Sequence, residues 1–203
     1  MSYEPKSPEF IAGLESLIRE RRSIRKYKNK PVSKELVQRV LDSGCWAPSG
    51  KNYQNWRFFV LTGAKRDAYL KYSQKSWVNI KEFLQKRLKP SLYEFTERFF
   101  YTLGDAPVVI LCYTKNDPNE KELTSIGSVY MAVQNILLAA QAHGLGTCAM
   151  GAPLEIKDEI NDFLGRDKVA GLQLLCGISM GWPDHQPPAA PRQTEGRITW
   201  LDK

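Results

Sequence analysis

The sequence has 203 residues, of which 42% are hydrophobic and 25% are charged. This composition predicts a folded chain with one sizeable core or two small ones, and it excludes a disordered tail or a peptide hormone. The net charge of +7 is uneven, since residues 1–100 carry 21 basic and 10 acidic side chains and residues 101–203 carry 8 and 12. The asymmetry predicts an anion site built from the first half of the chain.

The chain begins with two predicted amphipathic helices. Residues 10–20 place apolar side chains at the i, i+3, i+4, i+7 spacing of a helix. The densest basic stretch, residues 19–30, has seven positive charges against one negative and starts where this helix ends. Ser33 is the expected N-cap of a second helix that stops at Gly44, and a loop over residues 45–55 follows.

Three later segments are short, apolar and bounded by turn residues, as strands are. They are residues 56–61, 107–113 and 172–178. Residues 126–143 are apolar nearly all round a helix that ends at Gly144, which predicts a central buried helix. A shorter helix is expected over residues 154–164. Because strands are few and do not alternate regularly with helices, we expect an α+β fold rather than a doubly wound sheet.

The segment between the first two strands, residues 65–104, is predicted to be mostly helical and is rich in Lys and Arg. It scatters nine aromatic residues over several faces, which either pack on the core or form a lid or an oligomer interface. These are Tyr69, Tyr72, Trp77, Phe83, Tyr93, Phe95, Phe99, Phe100 and Tyr101. After the last strand, a stiff proline-rich loop leads to a final extended piece over residues 197–201.

The cysteines and the chain ends limit the type of protein. Cys45, Cys112, Cys148 and Cys176 lie far apart without a C-x-x-C pair, and three of them sit in apolar segments. This pattern favours buried free thiols over a zinc site. The longest apolar stretches fall short of the ~20 residues that cross a bilayer, and the N-terminus lacks the order of a secretory signal. We therefore expect no metal, no membrane span and a cytoplasmic protein.

Two segments have the composition of binding loops. Where the chain leaves the first helix, three guanidinium groups and a hydroxyl lie within five residues, on Arg21, Arg22, Ser23 and Arg25. Guanidinium groups bind phosphate oxygens well. A solvated basic face has the same composition. Residues 47–56 combine a rigid Pro, a Gly and amide side chains, which suit a planar heterocycle or an ordinary turn. The chain has no hydrolase, metalloprotease, P-loop or dinucleotide fingerprint, so an enzyme of this sequence would rely on a bound cofactor.

The order of these segments carries more information than each one alone. Three motifs follow one another along the chain: R-R-S-x-R-x-[YF] from Arg21, A-P-S-G-K-N-x-Q-x-W from Ala47, and A-A-Q-A-H-G-L-G-T-C-x-M-G from Ala139. A proline-rich sequence that contains Arg192 comes after them. The chain thereby resembles the nitroreductase family of flavin enzymes. The resemblance covers nearly the whole chain as a single domain, residues 1–203, and is weakest over the variable helical insert at residues 65–104, which usually helps form the substrate channel and could act as a lid.

The resemblance implies an FMN site on a mostly antiparallel sheet flanked by helices. The FMN phosphate and the pyrimidine edge of its ring would be held by Arg21, Arg22, Ser23 and Arg25, although the position of Arg22 varies in the family. The backbone of Met150 and Gly151 would lie near flavin N5. Arg192 would complete the phosphate site, with Arg197 as the alternative. The other subunit of an intertwined homodimer would contribute Pro48, Ser49, Gly50 and Asn52, so each dimer would hold two FMN at its interface.

The function implied is an FMN-dependent NAD(P)H oxidoreductase with no catalytic side chain. Hydride would pass from NADH or NADPH through flavin N5 to a nitroaromatic, quinone or enone by a ping-pong cycle. One alternative keeps the fold and performs reductive dehalogenation or flavin breakdown. Another is a non-enzymatic nucleic-acid binder that uses residues 19–30, which we disfavour because no base-reading motif accompanies the basic run.

Overall fold

The computed structural model describes residues 4–115, 121–189 and 191–201. The helices of this part of the chain are α1 (Pro8–Glu20), α2 (Lys34–Cys45), α3 (Gly63–Gln85), α4 (Pro90–Thr102), α5 (Glu122–Ala142) and α6 (Lys157–Leu164). Its strands are β1 (Trp56–Thr62), β2 (Val108–Lys115), β3 (Gly146–Met150) and β4 (Leu172–Gly181). Short 3-10 turns occupy residues 50–52, 103–105 and 152–156.

The four strands form one sheet in the order β1-β2-β4-β3, and each neighbouring pair is antiparallel. The prediction of an α+β fold with a mostly antiparallel sheet is therefore confirmed. Alternate residues of β2 point to opposite faces, as the pleat requires, and both faces are covered. Val109 and Leu111 enter one core cluster, while Ile110 and Cys112 enter the other.

The two faces of the sheet have different partners. On one face α2 and α5 pack together and bury Val40 and Ile136. On the other face the pair α3 and α4, with α6, buries Tyr69, Trp77 and Ile160. The predicted central helix is α5, which is long and apolar enough to cross a membrane by length and composition alone. Its packing against α2 and the sheet makes it a core helix of this fold.

Some aromatic residues of the insert pack in the core and others are exposed, so both of the expected environments occur. Tyr69, Trp77, Phe99 and Phe100 are buried in the core, whereas Phe83 is exposed. Polar contacts also fix the insert in place, since Trp77 Nε1 donates to Glu97 Oε1 at 3.0 Å and Lys75 pairs with Glu159 at 2.5 Å. The insert is thus a helical hairpin docked on the sheet.

Helix α1 is the amphipathic helix that the sequence predicts, and Ser33 caps α2 by accepting from the backbone N–H of Leu36. However, none of the residues of α1 is buried within the described chain. Four of its apolar side chains are 43 to 58% exposed, and two apolar side chains near the C-terminus are more exposed still. They are Phe10, Ile11, Leu14 and Ile18 in α1, and Trp200 and Leu201 near the C-terminus.

Three details differ from the sequence-based expectations. Strand β3 was not predicted, because its five residues G-T-C-A-M are small or weakly β-forming and become a strand only by pairing with β4. Helix α2 ends at Cys45 rather than Gly44, as frayed helix ends commonly do. The expected extended piece at residues 197–201 forms no strand over its described length.

Gly104 links the insert to the N-terminal basic segment, and replacing it by alanine tests that contact. A Cβ at Gly104 would lie 2.1 Å from the Arg25 carbonyl oxygen, and the residue has φ of +60°. We expect Gly104→Ala to lower the free energy of unfolding by about 2–4 kcal/mol through overpacking and backbone strain, measured by urea denaturation. The control is Gly13→Ala, where a Cβ would meet nothing within 4 Å. A Gly104→Ala protein as stable as that control would contradict the prediction.

Candidate functional site

The basic segment between α1 and α2 is attached to the outer edge of β3. The Ile24 N–H donates to the Thr147 carbonyl oxygen at 2.9 Å, and Ser23 forms a parallel bridge with Thr147. This approach requires a glycine at position 146, since a Cβ there would lie 2.7 Å from Ile24 Cγ1. The segment therefore continues the sheet beyond β3 by a single bridge.

Tyr27 anchors the basic segment to the fold on the C-terminal side of Arg25. Its hydroxyl donates to the Ile24 carbonyl oxygen at 2.6 Å and lies 2.9 Å from Ser179 Oγ on β4. Burial raises the pKa of Tyr27 well above its usual value, so the phenol remains a hydrogen-bond donor at any physiological pH. The Tyr27 N–H also donates to Gly104 at 2.8 Å. Arg25 is consequently held between two fixed points of the backbone.

Arg25 lies beside Cys148 of β3, and the charge of Arg21 also acts on that thiol. Burial raises the pKa of the Cys148 thiol, and the charges of Arg25 and Arg21 oppose that rise, as does a hydrogen bond to Arg25. Neither guanidinium forms an ion pair with a carboxylate in the described part of the chain. Two half-buried positive charges without carboxylate partners give this edge of the sheet the chemistry that an anion requires.

The other two residues of the predicted cluster, Arg22 and Ser23, are engaged with backbone groups of the protein. Arg22 donates from one guanidinium nitrogen to the carbonyl oxygens of Arg19 and Arg21, at 2.7 and 3.0 Å, and so caps the end of α1. Its Nε is buried and has no hydrogen-bond partner among the described residues. Ser23 is half-buried and its backbone pairs with β3. The structure therefore brings residues 21–25 together on one edge.

A cavity of about 350 Å³ opens beside Arg25. One wall is Arg25 with residues 148–152, which include Met150 and Gly151. A Cβ at Gly151 would meet nothing within 4 Å, so space is free beside this backbone. A planar ring with hydrogen-bonding edges would fit between the guanidinium, the strand end and the opposite wall.

The opposite wall of this cavity comes from the insert, as the family resemblance implies, although the resemblance does not indicate which residues form it. It consists of Ile80, Leu84, Leu88, Leu92 and Thr96, with Phe99 and Phe100 behind them. The first five recur at every fourth residue, with Ile80 and Leu84 on α3, Leu88 in the turn, and Leu92 and Thr96 on α4. That spacing is a signal from which the wall could have been found. Asn79 faces elsewhere, since its side-chain amide donates to Glu155 at 3.4 Å.

A second cavity of about 380 Å³ lies at the other half of β3. Arg21 and Arg22 line it together with Gly146 and Thr147. The basic segment thus passes between two cavities, with Arg21 at one and Arg25 at the other. A ligand with an anionic end and a flat ring matches this arrangement.

The loop at residues 48–52 lies at the opposite edge of the sheet and lines neither of these cavities. Buried Asn55 anchors it, because its side-chain amide donates to Thr114 Oγ1 at 2.6 Å and to the Ser125 carbonyl oxygen at 2.9 Å. Lys51, Asn52 and Gln54 all have positive φ, a strained backbone that is typical of binding loops. Within one chain the structure does not bring Pro48, Ser49, Gly50 and Asn52 to the basic segment.

The C-terminal arginines also lie outside both cavities. Arg192 and Arg197 are exposed and belong to an irregular segment. The expectation of buried free thiols is confirmed for Cys112, Cys148 and Cys176, whereas Cys45 is free and exposed at the end of α2.

Comparison with known proteins places this geometry in context. The chain matches the sequence model of the nitroreductase family over residues 18–182. A 4-nitrobenzoate reductase of Nocardioides sp. is 28% identical, with 91% of this chain and 86% of that protein covered. An iodotyrosine deiodinase of Thermotoga neapolitana is 31% identical, with 88% and 93% covered. A Desulfovibrio desulfuricans protein solved in complex with FMN is 27% identical, with 98% of each chain covered and a TM-score of 0.69.

The Tyr27 hydroxyl should be necessary for the position of the basic segment. Tyr27→Phe leaves the buried Ile24 carbonyl oxygen without its donor, which is expected to lower the free energy of unfolding by about 1–3 kcal/mol. Hydrogen exchange at the Ile24 N–H should accelerate as the segment detaches from β3. The control is Tyr101→Phe, because Tyr101 is 46% exposed. Unchanged exchange at Ile24 in the Tyr27→Phe protein would show that the hydroxyl does not hold the segment.

Proposed function

The chain belongs to the nitroreductase family, and on that basis we propose that it is an FMN-dependent oxidoreductase that uses NADH or NADPH to reduce an electron-poor small molecule. One observation carries the proposal. Arg21 and Arg25 have no carboxylate partners in the described chain and are fixed against β3 on either side of a segment that leads into an apolar cavity. FMN combines the two groups that this arrangement suits, a phosphate and a planar ring.

The residues present fit FMN. Guanidinium groups bind phosphate oxygens in a bidentate manner, and we assign the phosphate and the pyrimidine edge to Arg21, Arg22, Ser23 and Arg25. The open space beside Gly151 leaves its backbone and that of Met150 free to approach the ring. A backbone N–H at that position would stabilise negative charge on the ring, as fixed donors do in oxyanion holes.

We further propose that the site is completed by a second subunit of an intertwined homodimer. The loop with Pro48, Ser49, Gly50 and Asn52 is strained and anchored at the sheet edge far from its own cavities, which suits a role in the partner's site. The unpartnered apolar side chains of α1 and of Trp200 and Leu201 supply the surface that such a dimer buries. In the dimer, Arg192 is our choice for the additional phosphate ligand, with Arg197 as the alternative.

The chemistry then needs little from the side chains. When bound, FMN supplies a ring that accepts a hydride and returns it to another molecule. In the balanced reaction, one NAD(P)H and one proton reduce a nitro group to a nitroso group and water. The described lining of the 350 Å³ cavity contains no His, Asp, Glu or Tyr from this chain, and we therefore propose water as the source of the proton. Hydride donor and acceptor would stack on the exposed face of the bound ring one after the other, which predicts ping-pong kinetics with a nitroaromatic, quinone or enone.

Other properties follow from the same observations. The basic segment is engaged in the fold, since Lys26 pairs with Asp184 at 2.6 Å and Lys30 Nζ lies 4.3 Å from the Trp182 ring centre. We therefore propose no nucleic-acid partner. Buried free thiols are typical of a reducing compartment, which supports our assignment to the cytoplasm.

The first test is whether the protein carries FMN and uses it. We expect a flavin absorption spectrum, release of about one FMN per chain on denaturation as the dimeric site implies, and oxidation of NADH or NADPH with a nitroaromatic or quinone. Arg25→Gln should weaken FMN binding about ten- to hundredfold, the effect of losing a charge-assisted hydrogen bond. Arg39→Gln, at an exposed position of α2, is the matched control. A colourless protein that takes up no added FMN would sink the proposal.

Subunit mixing tests the shared site. Arg25→Gln damages the strand side and Asn52→Ala damages the loop side, so each homodimer should bind FMN weakly. A mixed dimer, isolated through two different affinity tags, has one site with both native halves, and roughly half of its sites should bind FMN with native affinity. Titration at limiting FMN measures this fraction. Mixed dimers that behave as the average of the two homodimers would place both halves of the site in one chain.

Reductive dehalogenation is a second candidate function, favoured by the 31% identity to an iodotyrosine deiodinase. It would use the same fold and the same cofactor, and two electrons and one proton would convert a carbon–halogen bond to carbon–hydrogen and halide. Turnover of a halogenated tyrosine that exceeds turnover of nitroaromatics would favour this function over the first.

A further inference from the structure

A left-handed turn joins the insert to β2. Leu103, Gly104 and Asp105 have φ values of +55°, +60° and +65°, so three consecutive residues lie in the left-handed region. That conformation suits glycine but costs free energy at residues with a side chain, such as leucine and aspartate. Strained backbone of this kind persists only where the surrounding structure holds it, and it occurs mainly at functional sites. The turn therefore needs contacts that keep it closed.

Arg66, on the first turn of α3, supplies those contacts. Its Nε donates to the Ala106 carbonyl oxygen at 2.7 Å, and one terminal nitrogen donates to the Thr102 carbonyl oxygen at 2.8 Å. Thr102 and Ala106 are the residues directly before and after the turn, so one guanidinium group joins its two ends. The other terminal nitrogen lies 3.1 Å from Asp67 Oδ1, and the Arg66 side chain is only 12% exposed. The planar fork of arginine has the donor geometry to bridge two carbonyl groups in this way.

The turn is in direct contact with the basic segment. The Gly104 carbonyl oxygen accepts from the Tyr27 N–H at 2.8 Å, and Gly104 lies so close to the Arg25 carbonyl group that no side chain fits between them. A small cavity of about 120 Å³ is lined by Arg25, Gly104 and Asp105 among others. Arg25 thus borders open space both here and at the 350 Å³ cavity. The hold on its backbone therefore helps to determine where its guanidinium group lies.

We propose that Arg66 is a positioning residue for the cofactor. Its guanidinium group keeps the left-handed turn closed, the closed turn fixes the backbone at Arg25, and Arg25 is one of the residues that we assign to FMN. The inference rests on the proposed function and adds to it a residue that lines neither the 350 Å³ nor the 380 Å³ cavity. A turn made of glycine alone would not need this hold, because glycine adopts positive φ at little cost.

The test separates the geometry of Arg66 from its charge. Arg66→Lys keeps the positive charge but lacks the planar fork that spans the two carbonyl groups. Three quantities are measured: hydrogen exchange at the Tyr27 N–H in the FMN-free protein, the dissociation constant of FMN, and the reduction potential of bound FMN. The matched control is Lys75→Gln, which breaks the Lys75–Glu159 ion pair and so loosens the insert where it contacts α6 rather than the basic segment.

In Arg66→Lys, exchange at the Tyr27 N–H should accelerate and FMN binding should weaken by about three- to tenfold, less than in Arg25→Gln because the Arg25 guanidinium group is still present. Reduced FMN should lose more affinity than oxidised FMN, because its ring carries more negative charge for Arg25 to face. A threefold difference between the two losses lowers the reduction potential by about 15 mV. The control should change none of the three quantities.

Relief of the strain distinguishes positioning from general stability. Asp105 is exposed, and Asp105→Gly lets the turn adopt positive φ without the hold of Arg66. Added to Arg66→Lys, it should slow exchange at Tyr27 again and reduce the loss in FMN affinity by at least half. Asp105→Ala, which also removes the carboxylate but keeps a Cβ, should do neither. A loss that Asp105→Gly does not reduce would overturn the inference, since Arg66 would then act through the stability of the whole fold.

Thr102→Val loosens the same turn without changing Arg66. The Thr102 hydroxyl oxygen accepts from the Gly104 N–H at 3.0 Å, and Thr102 is exposed, so the substitution removes one contact of the turn and leaves the core in place. We expect faster exchange at Tyr27 and an FMN dissociation constant raised by about two- to threefold. Native exchange and native FMN affinity in this variant would contradict a role of the turn in placing Arg25.

Failure of the inference and failure of the proposed function give different results. An enzyme that carries FMN, with a dissociation constant and a reduction potential that Arg66→Lys leaves unchanged, refutes the positioning role alone. A native protein that binds no FMN refutes both.

Discussion

The attachment of residues 21–27 to the outer edge of β3 determines where the positive charge of this protein is fixed. One backbone hydrogen bond, from Ile24 to Thr147, and one buried phenol, Tyr27, hold the segment. Two glycines make room for it, because a side chain at Gly146 would strike Ile24 and one at Gly104 would strike the Arg25 carbonyl. The proposed anion site thus depends on the absence of side chains at these two positions as much as on the arginines. It also ties the sheet, the insert and the N-terminal segment into one structural unit.

The two faces of the sheet carry separate hydrophobic cores, and only one of them borders the 350 Å³ cavity. The face covered by α2 and α5 is closed by tightly packed aliphatic residues. The other face carries the hairpin of α3 and α4, whose inner stripe forms a cavity wall while its aromatic residues pack on the sheet. The hairpin is fixed by Trp77, Phe99 and the Lys75–Glu159 pair, whereas Lys86, Arg87 and Lys89 at its turn are exposed. We therefore expect substitutions of these three residues to leave the core intact.

Much of this fold could be predicted from periodicity, since α1, α2, α5 and three of the strands each have an apolar pattern of their own. Strand β3 could not, because Gly146 and Thr147 have no strand pattern and gain one only from β4 and the basic segment. Composition and family resemblance predict the arginines of the proposed site. The resemblance also implies that the insert helps to form the substrate channel, but it does not identify the wall residues, because intervening lysines such as Lys81 obscure their four-residue spacing. The loop with Asn52 lies at the far edge of the same chain, and no single-chain pattern reveals which copy it serves.

The position of the basic segment has a consequence for the behaviour of the protein in concentrated solution. An edge strand such as β3 offers unpaired backbone groups to any other extended chain, and such edges promote aggregation unless they are covered or charged. Here Ile24 covers the middle of the edge, and Arg21 and Arg25 surround it with like charge that repels a second copy of the same segment. The arginines therefore protect this edge of the sheet, in addition to the anion-binding role proposed for them. On that proposal, neutralising either of them would weaken ligand binding and would also expose the edge to self-association.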